Sequence, residues 1–287
     1  VNHVQINLGI LLMGPDPRYL HVTFPKLFKQ FRNRTIVQSI VTLVCHLQQA
    51  GLKPGTEKSL KEFIEFFLGE LSKQIELGQN ATDPDFLVFQ RTVNANVKSG
   101  ARTRQMILLR KLFRKHPVFF SALSQSAEIS KGLTADCATL ANTIRDLITA
   151  SNERYAALNG SDLFKPTNKT ATALNAIGSP VTSLDEYKTF IENLYFIFRE
   201  GVGQRLDGQL PISFVHVKDL RTMLQHDVDH GKAEKVAAKR KHLAAIFSTY
   251  SGVPSPDAVD PSQFSLVQAN ILGTLSTDLS TLAKSLL

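Results

Sequence analysis

The spacing of apolar residues is the feature that most constrains the fold of this chain. Along most of the sequence they recur every three to four positions, the period of an α-helix, and the alternating β-branched runs typical of strands are few. The fold class predicted is therefore all-α. The predicted helices cover residues 24–50, 56–77, a segment from 84, 101–115, 133–158, 183–200, 212–230, 232–250 and 263–287.

The length of the chain and the position of Gly132 favour two domains. The sequence has 287 residues, enough for one large domain or two moderate ones. Gly132 and the long helix expected after it, with Thr134 as its N-cap, separate a basic helical domain at 1–125 from a helical bundle at 130–287. The polar, Gly- and Asn-containing residues 159–182 predict a long surface loop.

The excess of positive charge lies entirely in the N-terminal part of the chain. Residues 1–131 contain 18 Lys and Arg against 9 Asp and Glu, whereas residues 132–287 contain 15 against 16. A concentrated positive charge favours partners that carry phosphate. We therefore expect any nucleic-acid affinity to come mostly from the N-terminal half.

Within that half, residues 86–127 contain no acidic side chain and eight basic ones. The candidate nucleic-acid contacts there are Arg102, Arg104, Arg110, Lys111, Arg114 and Lys115. The alternatives are the solvated face of a core helix and a contact with an acidic protein. A second basic stretch begins at Lys232, and its Lys235 and Lys239 are candidates to line an RNA path or are simply part of a helix surface.

Several function classes lose their main sequence support. The chain has no GxxxxGK[ST] phosphate loop, GxGxxG turn, GxSxG elbow or HExxH helix. Cys45 and Cys137 lack the spacing of a disulfide framework or a thiolate zinc site, which favours a reducing cytoplasm. The longest uncharged stretch, 35–52, contains several polar residues and predicts a buried helix, with no membrane contact.

The densest group of chemically versatile side chains lies in DLRTMLQHDVDHG, residues 219–231. Three interpretations are open: the solvated end of a helix, acid–base chemistry on a phosphodiester, or a metal site of Asp219, His226 and His230. Arg221 and His226 would lie about 140° apart on a straight helix. Both side chains could then reach one phosphate only if the helix is distorted or a second chain completes the site.

This segment resembles the HEPN superfamily, whose hallmark is Arg, four to six residues, then His. Arg221 and His226 fit that spacing, followed by Asp227, and the helices predicted over 130–287 fit the HEPN bundle. The resemblance implies a dimer that brings Arg and His of both chains to one cleft. His226 would be the general acid and base, Arg221 would position the scissile phosphate, and Thr222, Asp227 and His230 would support them.

Many HEPN proteins are metal-independent endoribonucleases of toxin–antitoxin, antiphage and CRISPR-associated systems. The resemblance thus implies a cytoplasmic, homodimeric RNA-cleaving enzyme without a cofactor, and an antitoxin or defence protein as a candidate partner. Thr222 departs from the Asn, Asp or His common at that position in active members. It motivates the alternative, a non-catalytic HEPN-like module that binds RNA or protein. A third hypothesis is a DNA-binding regulator built on residues 84–115.

Overall fold

The computed structural model describes residues 33–49, 56–95, 98–116, 119, 127–225 and 233–286. Within these ranges the chain forms ten α-helices and no strand, so the predicted all-α class is confirmed. The chain divides into two compact units, Val1–Ser126 and Ala127–Leu287.

The described helices divide between the two units. The N-terminal unit contains α1 (Arg34–Gln49), α2 (Glu57–Leu77), α3 (Pro84–Ala95) and α4 (Lys98–Lys115). The C-terminal unit contains α5 (Ala127–Asn159), α6 (Asn168–Ala176), α7 (Leu184–Tyr195), α8 (Ile212–Gln225), α9 (Ala233–Ser251) and α10 (Phe264–Ser285). A π-helical turn, Phe196–Glu200, directly continues α7.

An aromatic cluster forms the core of the N-terminal unit. Phe67 of α2 lies 5.8 Å from Phe63, 5.1 Å from Phe86 and 5.0 Å from Phe89, measured between ring centroids. These four rings are buried because the apolar positions of α2 and α3 recur on one face of each helix. The cluster holds α2 against α3, and α4 packs on both α3 and α1.

The centre of the C-terminal unit is α10. Its residues are buried on every side from Phe264 to Ile271, and the polar side chains among them are hydrogen-bonded to backbone carbonyls. It packs along most of α5 and also contacts α7, α8 and α9. Its Gln268 side chain donates hydrogen bonds to the carbonyls of Ile177 and Ser179, at 2.9 and 2.7 Å, and thereby fixes the turn after α6.

Two details of the sequence-based prediction were wrong. Helix α5 begins at Ala127 rather than 133, so Gly132 lies inside a helix and Thr134 is not its N-cap. Gly132 is buried, and a glycine inside a helix costs only about 1 kcal/mol relative to alanine, which packing can offset. The predicted loop 159–182 contains α6, whose start is fixed by a capping box between Thr167 and Thr170.

Other boundaries agree with the sequence. Helix α7 begins one residue after the predicted start at 183, because Ser183 is its N-cap and its hydroxyl accepts a hydrogen bond from the amide of Glu186 at 3.2 Å. Helix α8 begins at Ile212 as predicted, and its described part ends at Gln225. Residues 226–232, which include His226, Asp227 and His230, lie outside the residues that the structure describes.

Candidate functional site

Arg221 lies in the last turn and a half of α8, at the edge of the apolar face of that helix. Phe214, Val217 and Leu220 form the buried side of α8 against the bundle. Because one residue turns the helix by about 100°, the position after Leu220 is directed to the rim of this face. The Arg221 side chain is accordingly 25% exposed, neither buried in the core nor surrounded by solvent.

A carboxylate on the neighbouring helix fixes the Arg221 guanidinium. Its Nε donates to Oε2 of Glu192 at 2.7 Å, and its Nη2 donates to Oε1 at 3.2 Å. The Nε2 of Gln225 donates to the same Oε2 at 2.7 Å. A two-point Arg–carboxylate pair of this kind restricts the orientation of the guanidinium plane as well as its position.

The ring of Tyr195 completes the environment of this guanidinium. Cζ of Arg221 lies 4.0 Å from the Tyr195 ring centroid, within the range of a cation–π contact. The hydrogen bond with Glu192 raises the pKa of Arg221, and its partial burial opposes that shift only in part. Arg221 is therefore a fixed positive charge throughout the physiological pH range.

The arrangement leaves part of Arg221 available to a ligand. A guanidinium has five N–H donors, and Glu192 takes two of them. The remaining edge belongs to Nη1 and the second N–H of Nη2. An oriented, partly exposed guanidinium edge is suited to contact one phosphate or carboxylate oxygen pair.

The neighbours of Arg221 on α8 have structural partners. The Thr222 hydroxyl donates to the Lys218 carbonyl at 2.9 Å, within the same helix. Oδ2 of Asp219 lies 3.3 Å from Nε2 of His242 and so links α8 to α9. No group of three or more His, Cys, Asp or Glu suited to a metal occurs among the described residues. Two members of the hypothetical metal site, His226 and His230, lie outside them, so that site stays a hypothesis.

The spatial relation of Arg221 and His226 stays a prediction for the same reason. The structure brings Arg221 together with Glu192, Tyr195 and Gln225, which the sequence did not identify. One signal was present, since Glu192 and Tyr195 are three positions apart and share a helix face. The choice of α8 as the partner helix depends on tertiary packing that local periodicity does not contain.

Three of the predicted nucleic-acid contacts in α4 are structural instead. Arg104 is buried, with Nε donating to the Ser39 hydroxyl at 2.9 Å and Nη1 donating to the Thr92 carbonyl at 2.6 Å. Arg110 and Lys111 are buried as well. These three cations hold α4 to α1 and α3, so the prediction that they contact phosphates was wrong.

The acidic partners of Arg110 and Lys111 lie at the start of α3. Nη2 of Arg110 donates to Oδ1 of Asp85 at 2.8 Å, and Nζ of Lys111 lies 2.7 Å from both Asp85 Oδ2 and Asp83 Oδ2. Burial by itself would raise the pKa of Asp85. The adjacent Arg110 and Lys111 outweigh that effect and hold the pKa well below its ordinary value.

The other predicted contacts are exposed. On α4 these are Arg102, Arg114 and Lys115, and Nζ of Lys115 lies 4.1 Å from the centroid of the Phe66 ring. On α9, Lys235 and Lys239 are exposed. The structure therefore leaves five of the eight predicted basic residues accessible, three on α4 and two on α9.

Comparison with known proteins assigns no relative to this chain. No family model matches it, and no curated protein and no solved structure is significantly similar to it. Among the helices that the structure describes, none is both long enough and apolar enough to cross a membrane.

Proposed function

We propose that the C-terminal unit is a HEPN-type, metal-independent endoribonuclease that acts as a homodimer in the cytoplasm. One observation carries the proposal. Arg221 is held in a fixed orientation by Glu192 and Tyr195, with a partly exposed edge, near the end of the helix that leads into His226. Rigid presentation of a cation is what stabilisation of a phosphoryl transition state requires.

The reaction proposed is an internal transfer at the RNA backbone. The 2′-hydroxyl oxygen attacks the adjacent phosphorus, and the bond from phosphorus to the 5′-oxygen breaks. One neutral His226 accepts the proton of the 2′-hydroxyl, and a protonated His226 donates a proton to the departing 5′-oxygen. Arg221 stabilises the additional negative charge on the phosphoryl oxygens. The products are a 2′,3′-cyclic phosphate and a 5′-hydroxyl.

This chemistry gives a reason for a dimer. A single imidazole cannot be the neutral base and the protonated acid at the same moment, whereas two copies of His226 in one cleft can divide these roles. The same arrangement removes the geometric difficulty that Arg221 and His226 would diverge by about 140° on one straight helix. Each chain then contributes to a shared site.

The first test is RNA cleavage by the purified protein in the presence of a chelator. We expect a labelled single-stranded RNA to be cut at an unchanged rate in excess EDTA, because neither proposed step uses a metal. The fragments should carry 2′,3′-cyclic phosphate ends, which acid treatment opens to a detectable mixture of monophosphates. Cleavage that stops on addition of EDTA and returns with zinc would contradict the proposal and favour the site of Asp219, His226 and His230.

A specific observation also favours the second candidate, a non-catalytic module that binds RNA or a protein such as an antitoxin. Glu192 neutralises much of the charge of Arg221, and the Thr222 hydroxyl is occupied by the Lys218 carbonyl. A purely structural role for Arg221 and Thr222 would explain both contacts. Salt-dependent RNA binding without any cleaved product would support this candidate over the enzyme.

A further inference from the structure

Helix α9 consists of two halves with different surroundings. Its second half buries Leu243, Ile246, Phe247 and Tyr250 against the C-terminal unit. Residues 233–242, in contrast, bury no side chain, and all of them except the half-buried Val236 are exposed. These ten residues, the basic arm, thus form a helix without a core contact of their own.

The composition of the basic arm explains why it is helical without such contacts. Its sequence, AEKVAAKRKH, is dominated by alanine, lysine, arginine and glutamate, which are strong helix formers. Helix α9 also continues without interruption into the packed second half, which supplies the nucleus that an isolated short helix lacks. The arm is therefore specified as a helix whose sides face solvent.

The net charge of the arm is positive. It contains four basic residues and one acidic residue. Among the residues that the structure describes, Lys235, Lys239 and Lys241 have no carboxylate partner. Lys235 and Lys239 lie about 40° apart around the helix, whereas Lys241 lies on another side, so the positive charge is distributed around the arm.

This surface is suited to a polyphosphate backbone better than to a protein. Protein interfaces are enriched in aromatic residues and methionine and depleted in lysine. The arm has no aromatic ring other than the imidazole of His242, and Val236 is its only large apolar residue. Lysine-rich, wet and polar surfaces are instead typical of nucleic-acid contacts, where lysine binds the phosphates irrespective of base sequence.

The arm is anchored to the helix that carries Arg221. Nε2 of His242, the last residue of the arm, lies 3.3 Å from Oδ2 of Asp219 on α8. Asp219 and Arg221 are two positions apart and therefore lie about 160° apart around α8. The arm thus approaches α8 from the side opposite the Arg221 guanidinium, which contacts α7.

We propose that the basic arm binds the sugar–phosphate backbone of a single-stranded RNA. The choice of RNA over other polyphosphates rests on the proposed function, whereas the binding of a phosphodiester backbone rests on the arm itself. Lys235, Lys239 and Lys241 each neutralise a phosphate. The affinity therefore comes in substantial part from the C-terminal unit, although the positive excess of the sequence lies in the N-terminal half.

The test compares the full chain with the triple variant Lys235→Gln, Lys239→Gln, Lys241→Gln. Glutamine is a good helix former, so α9 should be retained, as checked by circular dichroism. The probe is a fluorescent 2′-O-methyl RNA, which cannot be cleaved because the attacking hydroxyl is blocked. The matched control replaces three exposed lysines elsewhere, Lys58, Lys165 and Lys188, by glutamine.

We expect the arm variant to bind about 10 to 100 times more weakly at low salt, with a slope of log affinity against log salt reduced by about 2. The control variant should bind like the unchanged chain. Equal affinity and equal slope for the arm variant would overturn the proposal. An arm variant that binds RNA like the unchanged chain but no longer binds polyglutamate would also overturn it, because the partner would then be an acidic protein. DNA of the same sequence shows whether the ribose contributes.

This experiment is independent of catalysis. If the arm variant loses affinity but the unchanged chain cuts no RNA, the arm is an RNA-binding surface and only the enzymatic proposal fails. If RNA is cut and the arm variant binds as before, the enzymatic proposal stands and the arm has another role.

Discussion

Replacing His226 by alanine should lower the rate of RNA cleavage by about 10²–10⁴-fold, the range that a general acid or base contributes. Arg221→Ala should lower it by about 10²–10³-fold, because an oriented donor to the developing charge is lost. Both rates are measured in single-turnover assays with saturating protein. The loss then reflects the chemical step and not RNA binding.

Two further variants make this result specific. Arg221→Lys retains the charge but cannot form the two-point pair with Glu192, so we expect partial activity, between those of the alanine variant and the unchanged chain. Lys188→Ala changes an exposed residue elsewhere on α7 and should leave the rate unchanged. Unchanged cleavage in both His226→Ala and Arg221→Ala would contradict the proposed roles.

Replacing Asp85 by asparagine should destabilise the N-terminal unit by about 3–5 kcal/mol, the usual cost of breaking a buried ion pair from one side. The variant removes the carboxylate that the buried Arg110 and Lys111 share, whereas Lys111 keeps its contact with Asp83. Hydrogen exchange measured by mass spectrometry on peptides of α3 and α4 localises the effect within the full chain.

The matched control is an ion pair on the surface of α2. Lys73 and Glu70 approach to 3.4 Å, and the Lys73 side chain is 63% exposed. Glu70→Gln should therefore change the stability by less than about 1 kcal/mol. A similar, small effect of Asp85→Asn would show that the buried network is not needed to hold α4, which contradicts the reassignment of Arg110 and Lys111 to a structural role.

The contribution of Asp85 should also depend on pH in a defined direction. Its pKa is lower in the folded than in the unfolded chain, so it stabilises the fold at all pH values above the ordinary aspartate pKa. That contribution declines as the pH falls below about 4 towards the depressed folded pKa. The difference in stability between the unchanged chain and Asp85→Asn should therefore be constant near neutral pH and shrink in acid.

The fold was predictable to the extent that it depends on local periodicity. The boundaries of α2 and the start of α8 follow from apolar spacing, and the start of α7 follows from the polar residue Ser183. The start of α5 did not follow, because Gly132 is a helix breaker only where packing fails to compensate it. Helix α6 was missed because its nine residues are mostly small and polar, and its stability comes from the capping box and the bundle.

The site was predictable only for residues whose environment is set within one helix. Arg221 lies at the edge of the apolar face of α8, as its position relative to Leu220 indicates. Its pairing with Glu192 joins two helices and is invisible to spacing along one. The same limit explains why Arg110 and Lys111 were predicted as nucleic-acid contacts. The acid-free window at 86–127 excludes Asp85 by one position, so the charges appeared unpaired in sequence although they are paired in space.

Mixing the unchanged chain with an inactive variant tests the central claim, a site shared between two chains, most directly. The unchanged chain and an about tenfold excess of His226→Ala are unfolded together, refolded as a mixture, and assayed for RNA cleavage, with native mass spectrometry to show that mixed dimers form. Because the shared cleft needs both copies of His226, it predicts that mixed dimers are nearly inactive and that the activity per unchanged chain falls by about 10-fold. Mixed dimers that leave the activity per unchanged chain as it was would contradict a composite site.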